Sequence, residues 1–240
     1  MQLKDSRQFV WDLGKSLVDI FAPPRCMGCL REGEWLCSRC QREIIMAPLV
    51  CVGCGKQQPQ GRVCKTCRKK LALTGAVSVG VYGSDLLRRG VHWLKFKGVV
   101  DVAPLLAYLM AARITTIAPL AELRKTTALV PVPLHSSRLK QRGFNQSELL
   151  ARELSQWLGL PMWPIIQRRE KTWTQAMLPA DLRADNVRGA FELKQQEKLA
   201  AERYIVIDDV TTSGATLSAV ADLLWDGGTK EVWGLTVMRG

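Results

Sequence analysis

Beyond Cys67 the sequence has no cysteine: all eight lie between Cys26 and Cys67, and residues 68–240 contain none. Cysteine chemistry is thereby confined to a short front segment. Long hydrophobic runs are also missing. No stretch approaches the ~20 consecutive apolar residues of a spanning helix, because charge, Pro and Gly break every patch, so membrane insertion is not expected. The start of the chain, with Phe9, Val10, Leu13, Leu17, Ile20 and Phe21, is interrupted by Asp12, Lys15 and Asp19. It reads as an amphipathic helix over residues 1–24 rather than as a signal peptide. Without an export signal the expected location is cytoplasmic, where thiols stay reduced and take metal instead of pairing as disulfides. Acidic residues are few beside basic ones: 22 Asp and Glu against 34 Lys and Arg, a net charge of +12. That balance points to anionic partners (nucleic acid, phosphorylated metabolites or a membrane surface) without choosing among them. What is present, 47% apolar and 23% charged residues over 240 positions, excludes wholesale disorder and is enough for a core domain with a small module attached.

The cysteines form four C-x2-C pairs, Cys26/Cys29, Cys37/Cys40, Cys51/Cys54 and Cys64/Cys67. Each pair places two thiolates on one tight turn, and two facing turns make the tetrahedral cage of sulfurs that Zn2+ accepts in structural sites. Gly28, Gly53 and Gly55 supply the permissive backbone of such knuckles. Eight thiolates imply two closed zinc sites. Pairing of the first four and the last four is favoured because it needs only short hairpins, while a crossed pairing is also geometrically possible. An iron–sulfur cluster or a redox pair would not explain four evenly spaced pairs. With zinc bound, thiolates and metal together lower the net charge to roughly +8. A segment of this size cannot hold a core alone, so the metal has a structural role. Six cations, Lys56, Arg62, Lys65, Arg68, Lys69 and Lys70, have no acid among them. They read either as a solvated face or as a nucleic-acid contact.

After Lys70 the pattern becomes α/β. Val77, Val79 and Val81 alternate as a strand, residues 99–114 have a helical pattern, and an apolar strand ends in Val130-Pro131-Val132-Pro133-Leu134. A helix starting near Asn145, with Glu148 as a capping-box partner, is expected to bury Leu150, Leu154, Trp157 and Leu158. Tyr204–Ile207 is a buried strand, residues 214–226 a helix with Leu217, Val220, Ala221 and Leu224 on one face, and Val232–Met238 a closing strand. This alternation predicts a doubly wound parallel sheet. Trp93, Trp157, Trp225 and Trp233 occupy core-like positions. His92 and His135 are the only histidines; His135 has the stronger functional placement, beside the Pro-flanked turn.

Chemistry concentrates where the buried strand stops. Asp208 and Asp209 follow four apolar residues, and then Thr211, Thr212, Ser213, Gly214, Ala215 and Thr216 open a helix. In an open α/β sheet ligands bind outside the carboxyl ends of the strands. Backbone N–H groups and hydroxyls at the helix start suit a phosphate monoester, and Gly214 permits its close approach. Two carboxylates beside a phosphate require ribose hydroxyls or Mg2+ between them.

This strand-Asp-Asp-loop-helix segment resembles the 5-phosphoribosyl 1-diphosphate (PRPP) motif of the type I phosphoribosyltransferases. Arg138-Leu139-Lys140-Gln141-Arg142-Gly143-Phe144-Asn145-Gln146, and Thr172-Trp173-Thr174-Gln175 followed by Leu178, Arg183, Asn186 and Gly189-Ala190-Phe191, are similar to signatures of the ComF family. Lys95-Phe96-Lys97 and the cysteine module extend the likeness over nearly all of the chain after residue 25. Ser213 stands where many phosphoribosyltransferases have threonine, which keeps the hydroxyl. The resemblance implies a type I phosphoribosyltransferase-like domain at 71–240 behind a small double zinc ribbon at 25–70. It implies PRPP or a related phosphoribosyl ligand, held with Mg2+ by Asp208, Asp209, the Thr211–Thr216 loop and the Pro133–Leu134 turn. Arg138 and Arg142 are then flexible-loop candidates for closing over the diphosphate, and with the two aspartates form the candidate catalytic set. Asn145 is either a helix cap or a ligand contact, and Gln175 and Arg183 rest on the resemblance alone. The family link implies DNA uptake during competence, with single-stranded DNA and a DNA-uptake helicase as partners. The alternative is an active phosphoribosyltransferase that uses an unidentified base or nucleotide acceptor and has no DNA role.

Overall fold

The structure, a computed structural model, describes residues 23–169, 189–194, 199–225 and 229–240. Most of the expected N-terminal helix, and Thr172, Trp173, Thr174, Gln175, Leu178, Arg183 and Asn186, lie outside the described residues. The chain divides into two compact units, residues 1–44 and 45–240. The first unit carries the first four cysteines and the short helix α1 (Ser38–Arg42).

The second unit is built on four parallel strands, β1 (Gly75–Val81), β2 (Thr127–Pro131), β5 (Arg203–Thr211) and β6 (Glu231–Arg239), in the order β1-β6-β5-β2. All are buried nearly end to end, as a parallel sheet covered on both faces requires. A two-stranded antiparallel pair, β3 (Ile166–Arg168) and β4 (Phe191–Leu193), stands apart from this sheet. Helices α2 (Asp85–His92), α3 (Ala103–Ile114) and α4 (Leu120–Thr126) connect β1 to β2, and α5 (Ser136–Arg142) and α6 (Gln146–Leu158) follow β2. Helix α7 (Ala215–Asp222) joins β5 to β6.

Alternate strand positions divide the core. Ala76, Ala128, Val130, Tyr204, Val206 and Val232 pack with Leu217, Val220 and Leu224 of the α7 region. The intervening residues, among them Val77, Leu129, Ile205, Ile207 and Leu235, are buried beneath α3 and α6, which pack on each other and on the sheet. Neither outer edge is bare. Ala47 N–H donates to Val79 along β1, and the 161–163 segment bonds to Leu129 along β2. The buried Arg113 secures the first of these edges by donating to Ala47 O and Ser78 O.

Several expectations change here. The second cysteine cluster packs with the sheet: Cys51, Val52, Val63 and Leu73 belong to the same core as Leu217 and Val206. The compact units divide after Ile44, within the span 25–70 that the sequence assigns to the double zinc ribbon. The strand expected to end at Ile207 runs on to Thr211, because β6 continues to pair with it as far as Thr211 opposite Arg239. Arg138 and Arg142, expected on a loop, lie on α5. Trp157 and Trp225 are only half covered, at 51% and 38% exposure. Trp157 packs at a tilt against Tyr108 at the surface, and the Trp225 indole N–H reaches out to Ala72 O.

Candidate functional site

The eight cysteine sulfurs gather into two groups, Cys26/Cys29/Cys37/Cys40 and Cys51/Cys54/Cys64/Cys67, each within 4.8 Å. This is the sequential pairing. Tetrahedral Zn–S bonds of about 2.3 Å place sulfurs about 3.8 Å apart. The separations are 3.7 Å for Cys26–Cys37 and 3.8 Å for both Cys29–Cys37 and Cys54–Cys64, so both cages fit a structural zinc ion. Backbone N–H groups of Cys37 and Cys64 point at the sulfurs of Cys26 and Cys51 at 3.4 Å.

The thiols themselves express the need for a cation. Against a desolvation that raises it, backbone N–H groups bring Cys26 down to about 6, and Cys51 likewise. Hydrogen bonding with Cys37 leads the effects that push Cys40 up to about 12, and Cys64 does the same for Cys67. Four neighbouring thiols ionise together only around a positive ion. The knuckles turn at Leu30 and Gly55, each with positive φ and an N–H bonded back to the first cysteine of its group. Gly28 and Gly53 do not supply the left-handed turn. Gly53 is needed for room, since a Cβ there would lie 3.0 Å from the Cys67 sulfur.

The second site forms at the carboxyl end of the sheet. Strand β2 pairs with β5 only as far as Pro131 opposite Ile207, whereas β6 accompanies β5 four residues further. From Asp208 onward β5 has lost one neighbour. Here α6 follows β2 over one face and α7 follows β5 over the other, so the gap is a topological switch point. Asp208 and Asp209 are both buried there. Asp208 Oδ1 accepts from Ser147 Oγ at 2.8 Å and from the Asp209 N–H at 2.9 Å. Asp209 Oδ2 is ion-paired with Lys95, from the π-helical turn Trp93–Lys97 that follows α2. Burial first, and then the charge of Asp209, raise the Asp208 carboxyl to about 8.

Around this pair the predicted residues fall into place unevenly. Thr211 is the buried last residue of β5, Thr212 and Ser213 are exposed, and Thr216 is half-buried in the first turn of α7, which begins at Ala215. Gly214 caps α7 with φ +78, a conformation that a side chain would strain. Pro133 and Leu134 form the half-buried turn after β2. Asn145 is the N-cap of α6: its Oδ1 accepts from Ser147 N, and its Nδ2 donates to Val132 O, tying the helix start to that turn. The reciprocal half of the expected capping box is not formed, since Glu148 faces Arg152. His135 caps α5 by accepting from Ser137 N. Arg142 donates to Gln146 and lies over the Phe96 ring, while Arg138 is exposed.

Two residues near the acidic pair carried no sequence signal, Ser147 and Arg168. Burial and then Arg138 lower the Arg168 pKa, and Asp208 opposes them, so these three groups share one electrostatic neighbourhood. Ser147 is the residue immediately after the arginine-rich signature, and its role appears only when α6 meets the end of β5. Arg168 comes from the antiparallel pair β3–β4, which the sequence pattern does not announce.

A double zinc ribbon family model matches residues 17–75. Competence protein F of Haemophilus influenzae is 32% identical over 216 residues, spanning 88% of this chain and 94% of that protein. The DNA utilization protein YhgH of Salmonella typhimurium is 34% identical over 221 residues, spanning 88% and 96%. The chain belongs to the ComF family. Competence protein ComFC of Bacillus subtilis extends the ComF likeness at 27% identity over 226 residues, spanning 90% and 88%. Among the described residues of this ComF protein, no helix is long and apolar enough to cross a membrane.

The two cysteine sites of this ComF chain are expected to respond differently to ligand loss. Cys51→Ser should lower the melting temperature of the sheet unit by about 10 °C or more. Cys26→Ser should leave that transition in place, as read by calorimetry with zinc analysis. The Asp208 carboxyl makes a second prediction. Its folded pKa lies above the ordinary 3.8, so the folded state holds a proton that the unfolded state has released between about pH 4 and pH 8. Stability from this group is full below pH 4 and is lost as pH rises through that window. From pH 6 to 8, wild type should lose on the order of 1–2 kcal/mol relative to Asp208→Asn in zinc-loaded denaturation curves. Parallel curves would refute the shift.

Proposed function

We propose that the chain binds PRPP with Mg2+ at the carboxyl end of β5 and serves DNA uptake, handling single-stranded DNA in the cytoplasm. The observation that carries the ligand reading is the buried Asp208–Asp209 pair, set where β5 loses β2 and followed at once by the hydroxyl-bearing turn into α7. Buried adjacent carboxylates call for hydroxyl donors or a cation. The ribose hydroxyls and Mg2+ of this ligand answer both needs, and the raised Asp208 pKa supports the fit.

Asp208 and Asp209 would hold the ribose hydroxyls and Mg2+, which supplies positive charge between carboxylates and phosphates when bound. The backbone N–H groups and hydroxyls of Thr211–Thr216 would take the 5-phosphate. The Pro133–Leu134 turn would take the diphosphate, with Arg138 and Arg142 supplying countercharge. The DNA reading draws on relatives named for competence and DNA utilization. It is supported by five exposed cations of the second zinc segment, Lys56, Lys65, Arg68, Lys69 and Lys70. Arg62 drops out of that face, because it pairs with Glu231 and lies over Trp233. A DNA-uptake helicase is the partner this role implies.

PRPP with Mg2+ at about 100 times its Kd should stabilise the protein by about 3 kcal/mol. In thermal melts the shift should be lost in Asp208→Asn/Asp209→Asn; an equal shift in the variant would remove the assignment. Transfer to an acceptor base or nucleotide, the alternative use of the same ligand, would add pyrophosphate release above that variant's rate. For DNA, changing Lys65, Arg68, Lys69 and Lys70 to Gln should weaken single-strand binding. It should also reduce the slope of log affinity against log salt by about 3, in polarisation titrations. An unchanged slope would place the DNA surface elsewhere.

A further inference from the structure

Beside the acidic pair, at the carboxyl ends of β1 and β6, lies a cleft of about 540 Å³ that the PRPP reading does not use. Its base is apolar, with Val91 and Met238 both buried. Two aromatic rings stand open to solvent on its walls, Tyr82 at 53% and Phe96 at 66% exposure. His92 packs on Phe96 with ring centroids 5.1 Å apart. The Arg142 guanidinium covers the same ring at 5.5 Å from its centroid. Arg88, Arg89 and Lys95 add positive charge, and the one carboxylate on the lining, Asp85, is held by Arg88 at 2.6 Å. Lys95 belongs to both places: it lines the cleft and pairs with Asp209.

We infer that this cleft binds a nucleotide unit, its base against Phe96 and Tyr82 and its phosphate toward Arg88, Arg89 and Lys95. The volume lies in the range of small-molecule sites. Solvent-exposed aromatic rings beside cations are the pairing that recognises a flat π-system carrying an anion. A sugar phosphate would leave the rings unused, and an acidic peptide would gain nothing from a planar apolar wall. The inference rests on the preceding reading in one respect: the nucleotide is the second ligand of the same composite site, beside whatever Asp208 and Asp209 hold. The same chemistry has two sources, a free mononucleotide or one residue of a single strand.

Calorimetric titration of the zinc-loaded full chain with dTMP, and separately with an eight-nucleotide oligo-dT, tests this. Tyr82→Ala and Phe96→Ala should each weaken binding by roughly 5- to 150-fold, the range for loss of one stacked base, and Phe96→Trp should restore it. Both rings are exposed, so melting temperature and zinc content should stay at wild-type values. Binding of dTMP, with competition between dTMP and the oligonucleotide, supports a mononucleotide unit; binding of the oligonucleotide alone supports a strand. Failure of wild type to bind either probe, or alanine variants that bind as wild type does, overturns the inference. The PRPP-dependent melting shift is measured on the same samples. A shift retained while nucleotide binding is absent overturns the cleft alone, and nucleotide binding without the shift overturns the PRPP reading alone.

Discussion

Unequal strand length at one point in the sheet organises the second unit. Because β6 accompanies β5 to Thr211 while β2 stops opposite Ile207, the last residues of β5 are fixed on one side and open on the other. Backbone that is held yet unpaired along one edge can present Asp208 and Asp209 as rigid groups. The helix that follows β2 then returns across the opening, so that Ser147 meets Asp208 and Asn145 ties the turn at Val132 to the helix start. Shortening β5 to end at Ile207 would turn the same two acids into loop residues with ordinary solvation.

Electrostatics gives this arrangement its direction. Two adjacent buried carboxylates are destabilising to each other, and the protein meets that with a lysine from the turn after α2, a hydroxyl from α6 and the charge of Arg168 on the β3–β4 pair. Positive charge thus converges on the acidic pair from elements far apart in sequence. The overall surplus of Lys and Arg is only loosely related to it. Arg62 and Arg113 show that part of that surplus is structural, bound to Glu231 or to backbone carbonyls.

Much of this was legible in the sequence where the signal is local. The C-x2-C spacing carries the zinc cages because four ligands and two turns fall within a few residues. The run from Tyr204 through Thr216 carries strand, acids and helix start because apolar pattern, charge and glycine change in succession. Ser147 and Arg168 were not legible, since each matters only through a distant partner. The helix at Ser136–Arg142 was masked by an arginine-rich composition with no apolar face, and Trp157 and Trp225 by helical periodicity that does not record where a neighbouring element ends. The packing of Cys51 and Val52 against the α7 region was not legible either, because it reaches across the change of composition at residue 70.

That packing has a consequence for how the sheet's loop is supported. A side chain at Gly214 would meet the methyl groups of Val52 at 3.0 and 3.1 Å, and Val52 is the residue after the zinc-ligating Cys51. The turn that opens α7 therefore rests directly on a metal knuckle, with no spare atom between them. Cys51, Cys54, Cys64 and Cys67 would hold zinc directly beneath that turn, so the knuckle that carries Val52 sets the surface on which the residues after β5 are laid.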